Sequence, residues 1–354
     1  MTLPIPTPSE QLNFFTKLQR IFSEGEFTAT YKFALLISLA DLAVELGSDN
    51  GNELILTNRQ IGYKFISLYW NQSIPYGTGR TGCEPGILIQ NNGTQAAVIS
   101  AITRFREQSK CKTFNSATSE SNFNQLLTSV TNTVSSQPLT YLQNFGGTKD
   151  EFIFVRSPRS GIVLKPGVSY CLRRFYPLIQ HLSRNHWITH IKDNRQNISI
   201  LGDADDLEDF LFETSRQSLE KIGTELRQID GPTCFYCGRN MSNMDVDHFI
   251  PFSLYPRDLA QNFVLSHPSC NRSKSDSLAA LTHLERWLIR MDKKSDAISE
   301  IASKAGFVTN SNVIHKVGAW AYANARQANA KAWVSANNYS AVDDAYLSCF
   351  EIKS

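Results

Sequence analysis

Residues 234–274 read CFYCGRNMSNMDVDHFIPFSLYPRDLAQNFVLSHPSCNRSK, and this window decides the reading of the chain. Cys234 and Cys237 form a C-x2-C pair, and His267 and Cys270 form an H-x2-C pair after an interval of 29 residues. Two short pairs with one long separation are what a four-coordinate structural zinc site requires. Each pair sits on a tight turn so that its ligands converge, and the long interval brings the pairs together. Gly238, directly after the first pair, suits such a turn.

A second pattern overlaps the first. Asp247 and His248 are adjacent, Asn262 follows His248 by 14 residues, Asn271 follows Asn262 by nine, and Lys274 closes N-x2-K. Hydrolysis of a phosphodiester needs a divalent cation at the scissile phosphate, a base for water, and a support that holds the base. A hard cation prefers oxygen ligands, which Asp247 and the Asn271 amide supply. His248 is the nearby side chain whose ordinary pKa suits a base near neutral pH. The alternation in MDVDHFIP predicts a strand with Val246, His248 and Ile250 on one face and Asp247 on the other. FVLS predicts a second strand, and SCNRSKSDSLAAL the start of a helix.

With its β–loop–β–helix order, the window resembles the HNH (ββα-metal, His-Me finger) endonuclease family, above all its zinc-stapled members. DVDHFIPFS, NFVLS and NRSKSD are also similar to the HNH domain of RNA-guided CRISPR effector nucleases. The resemblance implies His248 as general base, Asp247 and Asn271 as ligands of a catalytic Mg2+ (or Mn2+ or Ni2+), and Asn262 as the brace of the histidine loop. It further implies Lys274 as a phosphate contact, and Cys234, Cys237, His267 and Cys270 as holders of structural Zn2+. Two departures stand out. Asn271 occupies the third letter of the family name, which leaves metal preference open, and zinc-stapled members often carry Cys where His267 stands. Asp245 and Asp258 are further acids nearby, and Asp245, on the strand face of Asp247, is a structural or solvated acid or one that approaches the metal.

Around this window the chain reads as mainly α, with the small α+β HNH domain embedded between helical regions. Residues 1–112 form a helical N-terminal domain: helices near 10–23 and 28–46, a strand at 53–57, a helix over 58–71 opened by a T-x-x-Q capping box, and a helix over 94–107. That order fits a winged-helix arrangement for recognition or regulation, or a generic helical domain. Residues 113–150 read as a linker or short helix, because 15 of the 24 residues from 113 to 136 are Ser, Thr or Asn. Residues 151–230 are helical, with a helix over 168–189, and carry a basic stretch. Arg156, Arg159, Lys165, Arg173, Arg174, Arg184, Lys192 and Arg195 face one acid, Asp193, between 156 and 195. Aromatics interleave them, which suits nucleic acid or simply a solvated helix. Residues 202–213, with six acids, are unsuited to DNA. The HNH domain spans 231–277, and the C-terminal helices, over 278–306 and about 310–336 within 278–354, pack on it.

Composition bounds the rest. The 354 residues are 42% hydrophobic and 19% charged, with net charge +2, too mild to imply nucleic acid alone. Seven cysteines, an odd number, fit reduced thiols. No segment is long and apolar enough for a membrane span, and no secretory signal opens the chain, so a cytoplasmic protein is expected. The expected partner is DNA, with RNA as the alternative, and a homodimer or defence-system proteins as further partners. Nucleic-acid contacts are expected at Arg173, Arg174, Arg184, Arg257 and Arg272. The functional expectation is a DNA endonuclease of restriction or anti-phage defence. An RNA-cleaving or toxin-type nuclease and a non-cleaving zinc-dependent binding module are the alternatives.

Overall fold

In a computed structural model, the chain forms two compact units, Met1–Glu213 and Thr214–Ser354. The structure describes residues 2–77, 84–145, 147–157, 161–202, 206–213 and 216–351. Cys83, Arg159 and the acids Asp203 and Asp205 lie outside the described residues.

The first unit is built round one helix, Tyr31–Leu46, in which every residue from Tyr31 to Glu45 is buried. A helix apolar on all sides has to sit inside a core, and YKFALLISLADLAVEL is such a sequence. Its one central acid, Asp41, is fully buried and accepts hydrogen bonds from Tyr176 Oη (2.8 Å) and Gln180 Nε2 (3.0 Å). Leu54–Thr57 then leads through the expected Thr57/Gln60 capping box into the helix Asn58–Tyr69. The Leu54–Thr57 strand pairs antiparallel with Gly161–Leu164, which pairs antiparallel with Phe154–Ser157.

Of the two readings of 113–150, linker or short helix, the structure has the helix. Phe123–Ser136 is a helix that buries Phe123, Leu126, Leu127, Val130 and Val134, and it packs along Asn58–Tyr69. Helical spacing of five apolar residues outweighs the Ser/Thr/Asn composition. Gly62 lets the two helices approach, since a Cβ there would lie 2.5 Å from Thr131 Oγ1. The single helix expected over 168–189 is two, Val168–Arg174 and Tyr176–Asp193, with Pro177 in the first turn of the second.

The basic stretch also changes meaning. Arg173 is 5% exposed. Its Nε and Nη2 donate to the Asp49 carboxylate (2.7 and 3.0 Å), and its Nη1 to the carbonyls of Ala43 and Val44 at the end of the core helix. Arg184 is buried as well, its guanidinium lying 4.8 Å from the Phe212 ring centroid. Both are therefore parts of the core, withdrawn from any nucleic acid, and Arg174 stays half-exposed. A positive charge at a helix C-terminus is favourable, and this one also neutralises Asp49.

In the second unit, Arg216–Asp230 precedes the cysteine window, and Leu281–Ala305 and Ser311–Gln327 follow it. The helix expected to about 336 stops at Gln327, and Lys331–Ser335 pairs with Asn338–Ala341 as a hairpin. Asn329 and Asn337 take positive φ (+51° and +59°) at the two turns, a conformation asparagine tolerates. No helix among the described residues is long and apolar enough to cross a membrane.

Reversing the charge of Arg173 tests its place in the core. Arg173→Glu leaves buried carbonyls and Asp49 facing a carboxylate, and urea denaturation should show a loss of about 3 kcal/mol or more. Arg174→Glu, at a half-exposed position, should shift the transition far less.

Candidate active site and zinc site

The strand Asp245–His248 pairs antiparallel with Phe263–Ser266, with Asp247 opposite Val264 and His248 opposite Phe263. Pro268–Lys274 follows as a helix, completing β–loop–β–helix. Alternation along the first strand puts Asp245 and Asp247 on one face. Asn271 and Lys274, three apart on the helix and so neighbours on its surface, meet these two acids. Asn271 Nδ2 donates to Asp245 Oδ2 (3.2 Å), and Lys274 Nζ lies 3.1 Å from Asp247 Oδ2.

The zinc ligands converge as the spacing implied. One ligand atom from each of Cys234, Cys237, His267 and Cys270 lies within 4.8 Å of the others, and Cys237 Sγ is 3.3 Å from His267 Nδ1. Tetrahedral zinc with Zn–S bonds near 2.3 Å needs edges of about 3.8 Å, so these atoms surround a volume of the right size. The turn forms because Gly238, at φ +70°, lets its N–H reach the Cys234 carbonyl (2.9 Å). His267 Nε2 lies 3.1 Å from the Asn240 carbonyl, which directs Nδ1 inward. Burial pushes the Cys234 thiol up, but the N–H groups of Cys237, His267 and Tyr236 outweigh it and hold it at about 7. Cys270 is pushed up to about 12 by burial and by the sulfurs of Cys234 and Cys237. Sulfurs packed this closely repel one another as thiolates, and a divalent cation removes that repulsion. Three sulfurs and one imidazole nitrogen are the donors zinc prefers.

His248 ends its strand with its ring near Phe252 and Phe263 (centroids 5.2 and 5.0 Å). Its Nε2 is 2.6 Å from Asp258 Oδ1, and both side chains are largely covered, 16% and 14% exposed. Asn262 is fully buried and clamps the chain just beyond the histidine. Its Nδ2 donates to the Ile250 carbonyl and its Oδ1 accepts from the Ile250 N–H, both at 2.8 Å. Asn262 thus acts on the backbone that carries His248.

Lys274 departs from the expected phosphate contact. It is fully buried, and its ammonium is committed to Asp247 and to the His248 carbonyl (2.9 Å). The register of a short helix against the strand turns it inward. Asp247, 7% exposed, also accepts a hydrogen bond from Tyr236 Oη at 2.5 Å. Burial, then the charge of Asp247, pushes the Tyr236 phenol well above its ordinary range, so it stays a donor. Sequence reading missed Tyr236, whose signal was an aromatic inside C-x2-C. The carboxylates of Asp245 and Asp247 and the Asn271 amide oxygen share the face toward Pro268–Lys274. With Asn271 Nδ2 occupied by Asp245, its oxygen is the atom left for a cation, and this all-oxygen donor set has the chemistry of a Mg2+ site. Arg272 is exposed, whereas Arg257 is half-exposed and donates to the Pro256 carbonyl (2.6 Å).

Comparison with known proteins agrees with this geometry. Residues 234–280 match the family model described as HNH endonuclease. No curated protein and no solved structure matches the chain. The chain therefore carries an HNH endonuclease domain at 234–280 with a Cys3His group suited to zinc, and that family implies nuclease activity on nucleic acids.

Two variants separate the zinc group from the carboxylate it supports. Cys237→Ala should abolish the bound zinc seen by elemental analysis and lower the melting temperature. Tyr236→Phe should keep the zinc yet cost about 2 kcal/mol in urea unfolding, the worth of a hydrogen bond to a charged group.

Proposed function

We propose that this protein is a metal-dependent endonuclease that hydrolyses phosphodiester bonds in DNA, with His248 as the general base. The observation that carries this reading is that one strand, Asp245–His248, carries an imidazole bound to Asp258 (2.6 Å) and, on its alternate face, the Asp247 carboxylate opposite the helix that bears Asn271. With Nε2–H donated to Asp258, Nδ1 keeps the lone pair that accepts a proton. A water molecule gives its proton to Nδ1 while its oxygen bonds to phosphorus. The bond from phosphorus to the leaving oxygen breaks, and that oxygen departs with the electron pair and takes a proton from solvent. The products are a phosphate monoester and a hydroxyl end.

Asp247 and Asn271, with Asp245 beside them, would hold Mg2+, Mn2+ or Ni2+. Such an ion, when bound, neutralises charge on the phosphate and at the leaving oxygen. Asp258 and Asn262 are positioning residues, the first fixing the ring and the second the backbone behind it. Lys274 holds the Asp247 carboxylate in place. Of the expected arginine set, Arg272 is exposed and Arg174 half-exposed, and these two are the members proposed to meet phosphate. Most of the chain lies outside the catalytic window, a layout shared by HNH enzymes of restriction and anti-phage defence, and the biological role we propose is of that kind. The motif's likeness to CRISPR effector domains adds the same chemistry and no guide-dependent role.

His248→Ala should reduce cleavage of plasmid DNA by roughly 10²- to 10⁴-fold in Mg2+, Mn2+ or Ni2+ while leaving zinc content and melting temperature unchanged. Wild-type protein that cuts neither DNA nor RNA with any of these ions would favour a non-cleaving binding module. Preference for RNA over matched DNA would favour the ribonuclease or toxin reading.

A further inference from the structure

The helix Phe123–Ser136 in the first unit carries no charged residue, yet its solvent face is polar throughout: Asn124, Gln125, Thr128, Ser129, Asn132 and Ser136 are all exposed. Ser, Thr and Asn are mediocre helix formers. An exposed face that served only solubility would favour Lys and Glu, which propagate helix and pair at i,i+4. Here helical propensity is sacrificed for side chains that each offer a hydrogen-bond donor and acceptor.

The fold around this helix gives the choice a meaning. Within the unit, after the helix Pro8–Glu24, come in chain order helix Tyr31–Leu46, strand Leu54–Thr57, helix Asn58–Tyr69, helix Phe123–Ser136, strand Phe154–Ser157 and strand Gly161–Leu164, with residues 70–122 inserted before the third helix, the short elements Pro138–Tyr141, Asn144–Phe145 and Thr148–Lys149 after it, and further helices beyond the last strand. The last strand lies between the other two. This is the topology of a winged helix, and Phe123–Ser136 occupies the place of its recognition helix.

Charge agrees with topology. No acid occurs from Ser121 to Lys149 or within Asn58–Tyr69. Arg59 and Arg156, both exposed, anchor to opposite ends of the helix. Arg59 Nη2 donates to Asn124 Oδ1 (2.6 Å), and Arg156 donates to Ser135 Oγ (3.2 Å) and Thr140 Oγ1 (3.0 Å). Residues 124 and 135 are about 16 Å apart along a helix axis. Guanidinium groups at both ends of a helix seated in a major groove can reach phosphates beside that groove.

We infer that Phe123–Ser136 is a DNA-recognition helix that enters the major groove of a duplex, its amides and hydroxyls reading base edges while Arg59 and Arg156 hold the flanking phosphates. Asn and Gln pair with adenine, and Ser and Thr with either partner of a base pair. The phosphate contacts set affinity and the polar face sets sequence preference. As the assignment of duplex DNA to the nuclease it rests on the function proposed above, and as a binding surface it stands on the first unit alone.

The test uses the full chain carrying His248→Ala, so that bound nucleic acid survives, and fluorescence anisotropy with a random-sequence DNA duplex, single-stranded DNA and duplex RNA. Arg59→Gln with Arg156→Gln should weaken duplex binding roughly ten- to a hundredfold and reduce the slope of log affinity against log salt by about two. Replacing Asn124, Gln125, Thr128 and Asn132 together by alanine, which favours helix, should keep the melting temperature and most of the affinity. It should erase the sequence preference recovered by selection from the random pool. Duplex binding unchanged in the arginine pair, an unaltered preference in the alanine variant, a wild-type preference for duplex RNA, or no binding to any of the three would each overturn the inference. Cleavage by the wild-type chain is scored separately, so a chain that binds duplex DNA through this helix but never cuts would sink the nuclease reading and leave this one standing.

Discussion

The HNH domain depends on giving partners to the Asp247 carboxylate, which is almost completely buried. An unpaired buried carboxylate would cost several kcal/mol and would protonate instead. Here the Lys274 ammonium and the Tyr236 hydroxyl meet its oxygens, and each comes from a different part of the window. Tyr236 lies between the first two zinc ligands, and Lys274 ends the helix that begins after His267 and carries Cys270. A zinc ion bound by the Cys3His group would close its two ligand pairs on one another, and so would fix the distance between the tyrosine and the lysine that hold the carboxylate.

The histidine side of the hairpin is organised by different means. No metal ligand supports His248. Its ring is held by Asp258 at one nitrogen and by aromatic neighbours at its faces, and its backbone is fixed by the two-way clamp of Asn262 on Ile250. The His248 side and the Asp247 side thus share one strand and the ammonium of Lys274, which reaches both the His248 carbonyl and the Asp247 carboxylate. Alternation along that strand puts the Asp247 carboxylate and the His248 imidazole on opposite faces.

The first unit solves a parallel problem. Its central helix is too apolar to have a solvent face, so every polar atom it brings inside needs a partner. Asp41 finds Tyr176 and Gln180, and the carbonyls at the helix end find Arg173. Residues that look like a cationic surface in a list of charges are thereby consumed in holding the core. An uncharged polar face reaches solvent on Phe123–Ser136, in a stretch that composition alone would assign to a linker.

The local chemistry of this protein was legible from the order of its residues. Ligand spacing gave the Cys3His group, alternation gave the catalytic strand, and Thr57 with Gln60 gave a helix start, because each depends on neighbours within a turn, a strand or a pair of fixed intervals. The partners of buried charge were not legible. Arg173 and Lys274 have the same composition whether they face phosphate or carboxylate. Asp258 gains its place only when nine intervening residues fold back on His248, and Tyr236 only when the turn of the cysteine pair meets a strand. The Ala-rich end after Gly318 reads as helix until Asn329 and Asn337 turn it into a hairpin. Sequence fixes which groups a segment can offer. The long-range closure of the chain decides which of those groups are spent in neutralising one another and which are left for chemistry, because burial makes an unpaired charge costlier than any local preference.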